Sequence, residues 1–120
     1  MKNLITIFFL ITLNQSALAA GSVEGDYYED SPKVCKDKKY EPDGFVKITK
    51  QEIRGHDFVC YVKDIHKSLT VENVFIYDLK CNTYEETSNP RWIIQINGKN
   101  LGVASTEKGI KPFSLNRCPK

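Results

Sequence analysis

Two short apolar runs between Trp92 and Val103, joined by Asn97-Gly98, constrain this chain more than any other stretch. Asn-Gly tolerates the positive φ angles of a type I′ hairpin turn better than other dipeptides do. Pairing outward from that turn sets Ile96 against Lys99, Ile94 against Leu101 and Trp92 against Val103. Side chains alternate faces along a strand, so Trp92, Ile94, Leu101 and Val103 share one side of the ribbon. A slip of one residue would move that apolar set to the wrong face. The pattern predicts a β fold with one buried side.

The rest of the chain sets the compartment. Met1-Lys2-Asn3 precedes an apolar run, Leu4 to Leu13, and then Ala17-Leu18-Ala19. A basic start, an apolar segment of about ten residues and an Ala-x-Ala site are the parts of a secretory signal peptide. The run is shorter than the roughly 20 apolar residues of a membrane span. Residues 1–19 are therefore expected to be removed, leaving one secreted β-rich domain over residues 20–120. No Cys follows the run, so nothing suggests a lipidated N-terminus. The signal has a bacterial flavour, pointing to the periplasm or the medium, with a eukaryotic secretory origin left open.

The mature chain of about 100 residues is one domain's worth, with a modest core that benefits from covalent help. It carries four cysteines, Cys35, Cys60, Cys81 and Cys118. An even number in a small exported domain reads as two disulfides. A structural metal site usually takes its ligands in close Cys-x-x-Cys pairs, which are absent here. If the strands around residues 58–63 and 74–81 are antiparallel neighbours, Cys60 faces Cys81 and Val62 faces Leu79. Phe58, Cys60, Val62, Leu79 and Cys81 then line one inward face, and Cys35 is left to join Cys118.

Strand patterns begin with a possible short one at Asp26-Tyr27-Tyr28 and continue with Phe45 to Thr49. A longer segment, Glu52 to Lys63, is expected to bulge or bend at Gly55-His56-Asp57. Val74 to Cys81 alternates strongly, whereas Ile65 to Asn73 reads as a loop or a short helical turn. Polar loops are expected at Asn82 to Arg91 and Ser105 to Pro112, before a closing strand from Phe113 to Cys118. About six strands without a long amphipathic helix predict a mainly β fold. The expected architecture is a small antiparallel meander closing into a barrel or sandwich, stapled by disulfides.

Chemistry leaves few traces. The 17 basic and 15 acidic residues nearly balance, which gives no electrostatic case for nucleic acid or an anionic membrane. Nucleophilic catalysis needs a Ser, Thr or Cys beside a base, and the only histidines, His56 and His66, lie in no nucleophile motif. Asp64-x-His66 and His56-Asp57 offer two metal ligands each, and sequence places no third. Glu24 to Asp30 lacks the spacing of a calcium loop. No cofactor, metal or catalytic residue is therefore assigned.

What remains is recognition of another protein. Trp92, Tyr61 and Tyr77 are expected to pack in the core. Tyr27, Tyr28 and Tyr84, in polar surroundings, are the candidate partner-binding aromatics, since tyrosine is enriched at binding hot spots. In signal peptide, size, four cysteines and strand spacing, the chain is similar to small periplasmic β proteins of bacteria, among them lysozyme inhibitors and immunity proteins against cell-wall toxins. The similarity includes no family motif and assigns no residue. It implies a non-catalytic secreted or periplasmic binding protein acting on a cell-envelope enzyme. The alternatives are a structural component of an envelope complex and a small hydrolase using His56 or His66. The export reading predicts a mature protein beginning at Ala20. Intact mass of the exported protein checks it, and retention of Met1 to Ala19 contradicts it.

Overall fold

Alternating apolar and polar residues build nine strands among residues 22–83 and 85–120, the residues that the computed structural model describes. The expected signal peptide, residues 1–19, and Tyr84 lie outside them. The strands are β1 (Gly25–Tyr28), β2 (Phe45–Ile48), β3 (Glu52–Gly55), β4 (Val59–Lys67), β5 (Val74–Asn82), β6 (Thr87–Ser88), β7 (Arg91–Asn97), β8 (Asn100–Ser105) and β9 (Phe113–Arg117). Apart from β6, each pairs antiparallel with the next, and β9 returns to pair with β1. Eight strands thus close into an up-and-down barrel, with β6 a short addition beside the end of β5. The expected meander is present and it closes as a barrel, with more strands than the six anticipated.

The extra strands arise where local signals were weak. Gly55-His56-Asp57 is a chain reversal rather than a bulge, so the expected long strand divides into the β3–β4 pair, with Ile53 opposite Cys60. Ile65 to Lys67 continues β4, and only Ser68 to Asn73 forms a loop. The segment before β2 holds two short 3-10 turns, Pro32–Cys35 and Lys38–Tyr40.

The barrel is filled by its inward side chains, as an eight-stranded barrel should be. Along β7 every even residue is buried and every odd one exposed, placing Trp92, Ile94 and Ile96 inside. Leu101 and Val103 of β8 join them. The hairpin register differs from the expected one. Asn97 pairs with Asn100, Ile96 with Leu101 and Ile94 with Val103, so the turn is Gly98-Lys99. Of these two residues only Gly98 has positive φ, +62°, the pattern of a type II′ turn with Gly first. The shift of two residues preserves the faces. It also puts Ile96 opposite Leu101, whereas the expected register would have turned Lys99 toward the core.

Cys60 faces Cys81 and Val62 faces Leu79, as the alternation predicted. The Cys60–Cys81 disulfide bridges that directly opposed pair with Cα atoms 3.9 Å apart, and Cys35–Cys118 is the other bridge. Phe58 and Val62 pack against the core from its margin. Burial pushes the Tyr77 hydroxyl up to about 12, with the charge of Glu24 adding to it.

Closure depends on a short seam. Tyr27 and Tyr28 of β1 register with Arg117 and Asn116 of β9, and the Cys118 N–H donates to the Asp26 carbonyl at 2.8 Å. Arg117 reaches over the Tyr27 ring, 5.0 Å from its centroid, and donates to the Glu24 and Ser22 carbonyls. Gly25 permits that approach, because its φ is +152° and a Cβ there would lie 2.7 Å from the guanidinium. The Tyr27 hydroxyl donates to the Val23 carbonyl at 2.7 Å. Cys35–Cys118 ties the chain after β1 to the end of β9.

On the chain-entropy model a disulfide stabilises according to the loop it closes. Cys35–Cys118 spans 83 residues and Cys60–Cys81 spans 21. Replacing Cys35 and Cys118 together by Ser should cost about 4.5 kcal/mol, and the Cys60/Cys81 double replacement about 3 kcal/mol. Urea unfolding of the two variants checks the order, which a larger loss from Cys60/Cys81 would reverse.

Candidate functional site

β4 outruns its neighbour β3. The β3 register ends at Tyr61, and the Val62 N–H still donates to the Gln51 carbonyl. Among the described residues, Asp64 to Lys67 pair only with β5. The result is an arm, β4–loop–β5, whose other side is backed by β7.

A bulge aims this arm. Val62 faces Leu79 but Asp64 faces Asp78, leaving Lys63 as the extra residue. The extra residue reverses the alternation. Ile65 then shares a face with its partner Tyr77, while Asp64 and His66 turn to the outer face. Beyond Lys67 the tip is held by its own backbone and side chains. The Ser68 N–H donates to the Val74 carbonyl, and the Ser68 hydroxyl accepts from the Thr70 and Val71 N–H groups. Asn73 takes φ +61°, a left-handed value that Asn tolerates, and its carbonyl accepts from the Ile96 N–H at 2.8 Å. This tip presents Leu69, which is 100% exposed, with Val71 at 51% beside it.

On the outer face the bulge opposes two carboxylates, Asp64 and Asp78, an arrangement that repels. His66 and Arg91 relieve it. His66 Nε2 lies 3.1 Å from Asp64 Oδ2 and 3.3 Å from Asp78 Oδ2. Arg91 Nε donates to Asp78 Oδ1 at 2.7 Å. The Arg91 hydrogen bond is the main reason the Asp78 carboxyl is held below its ordinary value, with His66 contributing less. Asp64, His66 and Asp78 bring three potential metal-ligating atoms within 4.8 Å of one another. Asp78 supplies the third ligand that sequence spacing could not place. A guanidinium already bound to Asp78 nonetheless suits an ion-pair network better than a cation site.

His56 lies elsewhere, in the β3–β4 turn. Its Nδ1–H donates to the Glu41 carbonyl at 2.9 Å, and this bond, with Asp57 beside it, raises its pKa above the ordinary value. Among the described residues no Ser, Thr or Cys side chain is hydrogen-bonded to either histidine.

The aromatic candidates separate. Tyr27 is fully buried in the closure seam, so its expected exposure is corrected: neighbouring charges hid a core position paired with Arg117. Tyr28, beside it, is half-buried. Tyr84 lies outside the described residues. Trp92 and Tyr77 are core residues, but Tyr61 is 48% exposed because β4 turns its odd residues outward before the bulge. Leu69 was missed because a single Leu in a polar loop carries no periodic signal.

Comparison with protein-family models, with curated proteins and with solved structures finds no match to this chain. Among the described residues no helix is long and apolar enough to cross a membrane. Two disulfides fit an oxidising compartment, periplasmic or extracellular.

Because the folded pKa of Asp78 lies below the unfolded one, its pairing contributes stability above the ordinary carboxylate range. That contribution is lost as pH falls through the folded value. Arg91→Gln should move the Asp78 midpoint up toward an ordinary carboxylate. A carboxyl-carbon NMR titration reads this directly, and an unmoved midpoint would show that Arg91 is not the cause.

Proposed function

We propose that this chain is a non-catalytic binding protein of the periplasm or secreted fraction, acting as an inhibitor or immunity protein on an enzyme that attacks the cell envelope. The observation that carries the reading is Leu69, fully exposed at an internally hydrogen-bonded tip on a disulfide-anchored barrel. A convex apolar tip of this kind fits a concave site on a partner, and an enzyme cleft is such a site. The ordered loop lowers the entropy lost on docking. Burying one Leu side chain is worth about 1.5–3 kcal/mol, on the order of 10- to 100-fold in affinity.

The structural-component alternative would use the open edge of β4 to pair with a neighbouring chain. That edge carries Lys63 and Lys67 and the bulge at Lys63, features that discourage edge-to-edge pairing. The hydrolase alternative would use His56, which meets the Glu41 carbonyl and Asp57, or His66, which meets the carboxylates of Asp64 and Asp78; among the described residues neither meets a hydroxyl or thiol nucleophile.

Tagged mature protein, used as bait in envelope extract and in the secreted fraction, should retain a hydrolase whose activity falls on binding. Leu69→Asp should weaken that inhibition by at least about tenfold while leaving thermal stability unchanged. His56→Ala combined with His66→Ala should leave inhibition intact. An envelope-degrading activity of the protein itself that vanishes with the histidines, or self-assembly along β4, would refute the reading.

A further inference from the structure

The barrel end opposite the arm carries a second feature. There Glu29, just past β1, the ends of β5 and β8 and the starts of β2, β4, β7 and β9 surround a cavity of about 180 Å³. Phe58, Trp92 and Phe113 form its aromatic wall, beside the Cys60–Cys81 bridge. Trp92 and Phe113 meet edge to face, with centroids 5.6 Å apart and planes at 82°. Two acidic residues, Glu29 and Glu107, also line it, and no basic residue does among the described ones. Neither glutamate has an ion-pair partner among the described residues. Lys108 and Lys111, in the same loop as Glu107, are exposed and do not line the cavity.

We propose that this barrel mouth binds a small organic cation, an amine carried on a single aromatic ring. Size, wall and charge each restrict the ligand. An apolar cavity of about 150 Å³ accommodates benzene, so this one holds a single ring with a short substituent. Aromatic faces attract an ammonium group, more strongly when it is desolvated. The unpaired carboxylates of Glu29 and Glu107 draw a cation to the opening and repel an anion of the same shape. A neutral ring would gain the apolar contacts alone. The mouth and the arm lie at opposite ends of the barrel, so this site stands or falls independently of Leu69.

Trp92 is the only tryptophan of the chain, and its fluorescence therefore reports the cavity directly. Titrating the mature protein with benzylamine should give a saturable change in that signal and NMR shifts of the Trp92 indole N–H. Benzyl alcohol and benzoate should each bind at least about tenfold more weakly, a difference of roughly 1.4 kcal/mol. The Glu29→Gln/Glu107→Gln double variant exchanges two acids at the opening and should keep the near-ultraviolet spectrum of Trp92. In it benzylamine and benzyl alcohol should bind within about twofold of each other. Four results would overturn the proposal: no saturable change up to about 10 mM benzylamine, benzoate binding as tightly as the amine, shifts confined to the outer surface, or an amine preference that survives in the double variant.

Discussion

A two-residue register between β1 and β9 decides whether this chain is a barrel or an open, curled sheet. Every other pair in the barrel joins strands that follow one another along the chain, apart from the short β6 between β5 and β7, and the longest of these connections is the 29–44 segment between β1 and β2. Only this one joins the beginning of the domain to its end, so it carries the largest loop-closure cost. Tyr27 and Arg117 meet that cost with local interactions. The phenol is buried and bonded to Val23, and the guanidinium covers its ring and holds two carbonyls of the lead segment. Burial raises the Tyr27 hydroxyl while Arg117 pulls it down. Cys35–Cys118 makes the same connection covalently.

Once closed, the barrel has two unlike ends. At one, β4 runs past β3 and lifts an apolar tip into solvent on hydrogen bonds made within the loop. At the other, the strands open round aromatic side chains with carboxylates at the lip. The Cys60–Cys81 bridge borders the mouth, on the two strands that build the arm. It fixes the register from which the Lys63 bulge departs. The bulge in turn separates Ile65, on the barrel side, from Asp64 and His66 on the outer one. On that outer face Asp78 is paired with Arg91 and lies beside His66, while the tip presents Leu69 to solvent.

Much of the fold was legible because strand parity is robust. The inward set Trp92, Ile94, Leu101 and Val103 survived a two-residue error in register, since a shift of two preserves faces. The Cys60–Cys81 pairing followed from alternation in β4 and β5, and the remaining cysteines had one choice left. What failed was whatever depended on contacts between distant segments. Tyr27 sits among acidic residues in sequence and among core residues in space. Gly55-His56-Asp57 can bend a strand or reverse it, and only pairing with β2 and β4 selects reversal. Ile65 to Lys67 is too polar to read as a strand alone, yet β5 supplies a partner. Asp78 joins Asp64 only through a bulge that no local pattern announces. The aromatic wall of the mouth draws on Phe58, Trp92 and Phe113, three residues far apart in the chain, so single-segment reasoning had no access to it.

Closure of the barrel by β1 and β9 is tested most directly at the amide of Cys118. Its N–H crosses the seam to the Asp26 carbonyl. Native-state hydrogen exchange followed by NMR should find this amide protected to a free energy close to that of the β7–β8 amides, as a closed, cooperative barrel requires. Rapid exchange at Cys118 beside strong protection of β7 and β8 would mean that the meander remains open.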